Sequence, residues 1–84
     1  MVIVRNIVLL QNDIMISYEP LWKTMKAKNI TKYRLIKDYG FSNGTIDRLR
    51  SNAHISTYTI EKLCKILDCT PNDIFIVTKD KKNK

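Results

Sequence analysis

Apolar residues recur at helical spacing through the middle of this chain, and in a denser, β-branched pattern before it. The first stretch runs Val2-Ile3-Val4, then Ile7-Val8-Leu9-Leu10, then the polar Gln11-Asn12-Asp13, then Ile14-Met15-Ile16. β-branched runs separated by a turn signal predict two short strands, over about 2–9 and 14–17. A second reading starts the native chain at Met15 and leaves residues 1–14 as an extension. Ser17 is placed to cap a helix over about 18–28, with Pro20 in its first turn, where a missing N–H costs little. Leu21, Trp22 and Met25 give that helix an apolar stripe, and Asn29 ends it. Thr31 caps a second helix over about 32–39, with Leu35, Ile36 and Tyr39 on one face. Gly40 stops it, since glycine turns there without strain. Phe41 follows as an apolar plug.

Ser42 caps a third helix over about 43–51. Ile46 and Leu49 face inward, while Asn43, Gly44, Asp47, Arg48 and Arg50 lie on the other side. A polar loop over 52–56 includes Ile55. Ser56 or Thr57 then opens a fourth helix over about 57–67, in which Ile60, Leu63, Cys64 and Leu67 form the most regular stripe in the chain. Thr70-Pro71-Asn72-Asp73 opens a fifth, short helix, with Asp73 reaching back to the cap. Cys69 and Ile74 are spaced as a hydrophobic staple around it. Residues 74–77 leave that helix as a short strand. The chain thus divides into an N-terminal segment over 1–16, a helical domain over 17–77 and a basic tail over 78–84.

With 84 residues this is one domain, able to bury only about 60% of its unfolded surface. A deep internal active site is hard to build at this size, so function is expected on the surface. The net charge is +7, from 15 Lys and Arg against 8 Asp and Glu. Setting aside Lys79, Lys81, Lys82, Lys84 and Asp80 still leaves about +4 (seven less four, plus one). Such an excess favours a polyanionic partner: nucleic acid first, an acidic membrane surface second.

Cys64 and Cys69 are five apart, and the one histidine, His54, lies ten residues before Cys64. That is no zinc pattern. Reduced cysteines serving as small apolar groups fit a cytoplasmic protein. No apolar run reaches the ~18 residues of a membrane span, and no signal peptide is expected. Paired carboxylates in a cleft, nucleophile–base arrangements and phosphate-cradling glycine loops are all missing from the sequence pattern, so no enzyme, metal or cofactor is expected.

Two helices of about eight residues, joined by a tight turn at Gly40, have the geometry of a helix-turn-helix whose second helix projects. Arg donates two hydrogen bonds to guanine O6 and N7, and Asn pairs with adenine N6 and N7. Asn43 and Arg48 carry those groups.

At this point the sequence resembles a family. Ile30-Thr31-Lys32, Leu35, Gly40-Phe41-Ser42, Thr45-Ile46 and Leu49 resemble the Cro/C1-type, lambda-repressor-like (XRE) helix-turn-helix signature. Ser56, Ile60-Glu61-Lys62-Leu63-Cys64 and Leu67 through Phe75 resemble its fourth helix and the exit into the fifth. The resemblance covers about residues 17–76. It implies an all-α, compact five-helix DNA-binding domain, here with a short N-terminal β segment. It implies a sequence-preferring regulator of transcription, acting as a repressor on double-stranded DNA and reading the major groove with the helix at about 43–51. By position, Asn43, Gly44 and Arg48 meet base edges, with Asp47 on the same face. Lys32, Ser42, Thr45 and Arg50 lie where phosphate is met. One such motif buries little surface, so a homodimer on half-sites about 34 Å apart is expected. Neither a membrane nor a small-molecule ligand is expected as a partner. The implied setting is the cytoplasm of a bacterium, or of one infected by phage.

The chain departs from the family pattern in three places. Ile36 stands where the second helix usually has Ala, which sets the two helices slightly apart. Arg50 and Met25 occupy two positions that usually hold a Glu–Arg pair, so both partners are absent together. Gly44 leaves no side chain where Gln is common. Plainer readings stand beside these. Arg48 and Arg50 as solvated charges, Asn43 as helix-start support and Lys32 as a surface lysine all fit the residue types. Asp47 repels phosphate and either accepts from cytosine N4 or pairs with Arg48 or Arg50. Trp22, Phe41, Leu63 and Phe75 are core residues by default. The rival functions are a protein-interaction module or antitoxin-like partner on the same fold and, more distantly, an enzyme or a membrane-surface protein.

Overall fold

A computed structural model describes residues 14–79; the strand expected over 2–9 and the tail beyond 79 lie outside it. The described chain runs β1 (Ile14–Ser17), α1 (Glu19–Lys28), α2 (Lys32–Tyr39), α3 (Asn43–Arg50), α4 (Thr57–Leu67), a 3-10 turn (Pro71–Asp73) and β2 (Ile76–Lys79). The class is mostly helical, as expected. The helix count is corrected: four α-helices and one 3-10 turn stand among the described residues where five helices were expected.

Local chemistry sets most of the boundaries. Thr31 Oγ1 accepts the Arg34 N–H at 3.1 Å, Ser42 Oγ that of Thr45 at 3.0 Å, and Ser56 Oγ that of Thr59 at 3.1 Å. Each bond satisfies one of the N–H groups that a helix start leaves without an intrahelical acceptor. Helix α1 starts differently. Tyr18 holds the cap position without a side-chain cap bond, while Ser17 Oγ accepts from the Glu19 N–H at 3.2 Å. Asn29, Gly40 and Asp68 end α1, α2 and α4 in the left-handed conformation.

The fifth element stops after one turn. Thr70 and Asp73 form the expected capping box. The Ile74 carbonyl then accepts from the Leu21 N–H at 3.1 Å, so its bonding goes to α1 rather than to a further helical turn. Thr24 Oγ1 donates to the Asp73 carbonyl at 2.9 Å and fastens the same junction. Ile74 is fully buried, so the strand expected over 74–77 begins two residues later and includes Thr78 and Lys79. It pairs antiparallel with β1, Ile14 opposite Lys79 and Ser17 opposite Ile76. The segment boundaries expected near 16 and 78 therefore fall inside a two-stranded sheet.

The core gathers one or two residues from each helix around Tyr18: Leu21 and Met25, Leu35, Ile46 and Leu49, Leu63 and Leu67, with Phe41 and Ile74. Trp22 and Phe75, expected in the core, are half-buried against it. Ile36 also packs against the core, half-buried. Cys64 and Cys69 are free thiols, both half-buried. Burial, with Cys64 and Asp73 nearby, pushes the Cys69 thiol up to about 11. Among the described residues no helix is long and apolar enough to cross a membrane.

The two glycines separate backbone strain from empty space. Gly40 has φ +75°, and a Cβ built there meets nothing within 4 Å. Gly40→Ala is therefore expected to cost about 1–2 kcal/mol through backbone strain alone. Gly44 lies in α3, where a Cβ meets only Ser42 Oγ at 3.8 Å. Gly44→Ala is expected to stabilise by about 0.5 kcal/mol, because alanine loses less freedom on folding. Thermal melts of the two variants should shift in opposite directions.

Candidate nucleic-acid interface

Two helices of eight residues meet across a three-residue turn, Gly40-Phe41-Ser42. The turn is closed by the Phe41 N–H bonding to the Leu35 carbonyl at 3.0 Å. Leu35 and Phe41 are buried, as are Ile46 and Leu49 on the inner side of α3. Burying those positions forces the opposite side of α3 outward. Asn43, Gly44, Asp47 and Arg48 are all exposed there, with Arg50 flanking them. The expected base-reading residues thus share one open helix face.

Of the two arginines open to Asp47, the structure pairs it with Arg50. Its carboxylate Oδ1 accepts from Arg50 Nη2, one turn away in an exposed ion pair. Among the described residues, Arg48 is left as the only cation on α3 without a carboxylate partner. Three further pairs neutralise cations elsewhere: Lys23 with Glu19, Arg34 with Asp38 and Lys65 with Glu61. Met25 is buried, and Arg50 has its own partner on α3. The missing Glu–Arg pair therefore leaves no buried charge behind.

The residues expected to meet phosphate lie at helix starts. Ser42 and Thr45 sit at the start of α3, their hydroxyl oxygens 3.0 Å apart, with Thr45 half-buried. Lys32 begins α2, exposed, with Nζ 4.6 Å from the centre of the Trp22 ring. That contact is a cation–π attraction worth about 0.5–1 kcal/mol at an exposed site. Trp22 is half-buried, and the lysine covers part of the ring face that the core leaves open. Lys62, which sequence reading did not single out, has Nζ 4.8 Å from the centre of the Phe41 ring, beside the α3 cap. In the sequence it is one polar position of the regular α4 stripe, with no signal of its own. His54 is exposed in the loop after α3.

A projecting helix braced by a second across a glycine turn defines a helix-turn-helix DNA-binding domain. Residues 20–80 match the family model of the Cro/C1-type HTH DNA-binding domain, and the chain belongs to that family. Its structure is similar to the crystal structure of the transcriptional regulator VanUg, form II. The TM-score is 0.74 at 26% sequence identity, covering 81% of this chain and 91% of the other. No curated protein matches the chain in sequence.

Proposed function

We propose that this protein is a transcriptional regulator that prefers particular duplex sequences and represses by occupying an operator. The observation that carries the reading is the α3 face. It presents a guanidinium with no carboxylate partner among the described residues and an asparagine amide, on a helix whose other side is locked in the core. Arg48 reads guanine and Asn43 adenine in the major groove. Asp47 lies on the same face, and Gly44 lets the helix backbone approach closely. Lys32, held on Trp22, meets phosphate at the start of α2, as do Ser42 and Thr45 at the start of α3. The Asp47–Arg50 pair is exposed and worth at most about 1 kcal/mol, so phosphate can take Arg50 over. Likeness to the regulator VanUg supports the regulatory role.

The protein acts in the cytoplasm as a homodimer on a two-fold site, without chemistry of its own and without a cofactor. Equilibrium binding to a random duplex pool at a series of salt concentrations tests this. A few phosphate contacts should make log K fall with log salt at a slope of about −0.9 per phosphate. Selected duplexes should share a palindromic motif. Absence of binding at low salt would overturn the proposal and leave the interaction-module reading.

A further inference from the structure

Cys64 and Cys69 flank the left-handed cap of α4 at Asp68, and the Cys69 N–H bonds to the Cys64 carbonyl at 3.0 Å. That bond folds the chain back on itself and brings the two residues to one side. Both are free and half-buried, and both line one apolar groove of about 660 Å³. Ile60, Pro71 and Phe75 supply its walls. Ile60 and Phe75 also line the neighbouring pocket beside Ile16 and Ile55, so the apolar surface continues past the thiols. The groove lies at the exit of α4, and no residue of the α3 face lines it.

The geometry points to a two-thiol site for a soft, thiophilic centre that carries one apolar substituent, of the aryl- or alkyl-arsenic(III) kind. Sulfur ligands select soft centres. A tetrahedral zinc site needs four ligands, and among the described residues no cluster of three or more His, Cys, Asp or Glu could hold a metal. A trivalent metalloid with one organic group takes two sulfurs, and the groove walls take the organic group by burying its apolar surface. With an aryl arsenic oxide the exchange balances without an oxidant. The As=O bond breaks and two As–S bonds form. The oxygen leaves as water with both thiol protons.

The test uses the full chain and phenylarsine oxide, followed by intact-mass measurement and a thiol-reactive dye. The chain holds two cysteines, so assignment is unambiguous. One adduct per chain is expected, with the loss of one water and both thiols protected from the dye. It should resist excess monothiol and be reversed by a dithiol. Binding should be about tenfold or more tighter to the folded chain than to the chain in urea, since the fold sets both thiols into one groove in advance. Cys64→Ser and Cys69→Ser should each lose the monothiol-resistant adduct. Equal affinity in urea, or protection of one thiol only, would overturn the proposal without reference to any variant. DNA binding plays no part in the readout.

Discussion

Arg48→Ala is expected to flatten the sequence preference of this protein while leaving it able to bind DNA. Arg50 is engaged by Asp47, so among the described residues Arg48 carries the unpartnered guanidinium on the exposed face of α3. A bidentate contact to a base edge contributes about 1–3 kcal/mol of discrimination, a factor of about 5 to 150 at one base pair. The variant should lose that factor at a single position of the selected motif. Its salt dependence should remain nearly that of the native protein, because a base contact releases no counterion from phosphate. Lys32→Ala supplies the contrast. Its loss should weaken binding to all duplexes alike and reduce the salt slope by about 1. Selection from a random pool followed by salt titration separates the two patterns. If Arg48→Ala instead weakened every duplex equally and lowered the slope, Arg48 would be a phosphate contact and the assignment of α3 would have to change.

Tyr18→Ala should unfold a large part of the population, because Tyr18 joins three parts of the fold. Its side chain is fully buried. The hydroxyl donates to the Ala53 carbonyl at 2.7 Å, and its backbone N–H donates to Asn52 Oδ1 at 3.1 Å. Both acceptors belong to the loop after α3. The ring meets Phe75 edge-on, with centroids 6.4 Å apart. Removing a buried aromatic ring costs about 3–5 kcal/mol, a large share of the roughly 5–15 kcal/mol that holds a domain folded. Tyr18→Phe keeps the ring and leaves one part-buried carbonyl without its donor, which should cost about 1 kcal/mol. Urea titration of both variants checks the order. Because the phenol anchors the loop directly behind the projecting helix, Tyr18→Phe should also weaken DNA binding more than its stability loss alone explains. Burial raises the Tyr18 hydroxyl above its ordinary pKa of 10.0, so it remains a donor throughout the neutral range.

How much of this was legible beforehand differs from residue to residue. The limits of α2 and α4 match the sequence reading, and α3 ends one residue early. The open face of α3 followed from Ile46 and Leu49 alone: once those two turn inward, Asn43, Gly44, Asp47 and Arg48 have nowhere else to point. The sequence leaves Asp47 a cytosine amine or either of two arginines, and in the folded chain it pairs with the arginine three positions away. Tyr18 read only as the start of α1, because nothing around it in the chain announces that it will be buried against residues 34 and 35 positions later. The apolar stripe of α1 places Trp22 in the core, and half-burial under Lys32 is what the structure supplies instead.

The division has one physical reason. Caps, left-handed stops and apolar stripes are interactions between residues at most about four positions apart, so the amino-acid order by itself determined the four α-helices and the class of fold. Interactions that close long loops are not written in local order, because each depends on which surfaces every other element leaves free. Only the tertiary structure decided that β1 pairs with β2, some 60 residues away, and that Ile74 gives its carbonyl to α1. It alone brought the cation of Lys62 to the ring of Phe41 and set two cysteines into one groove.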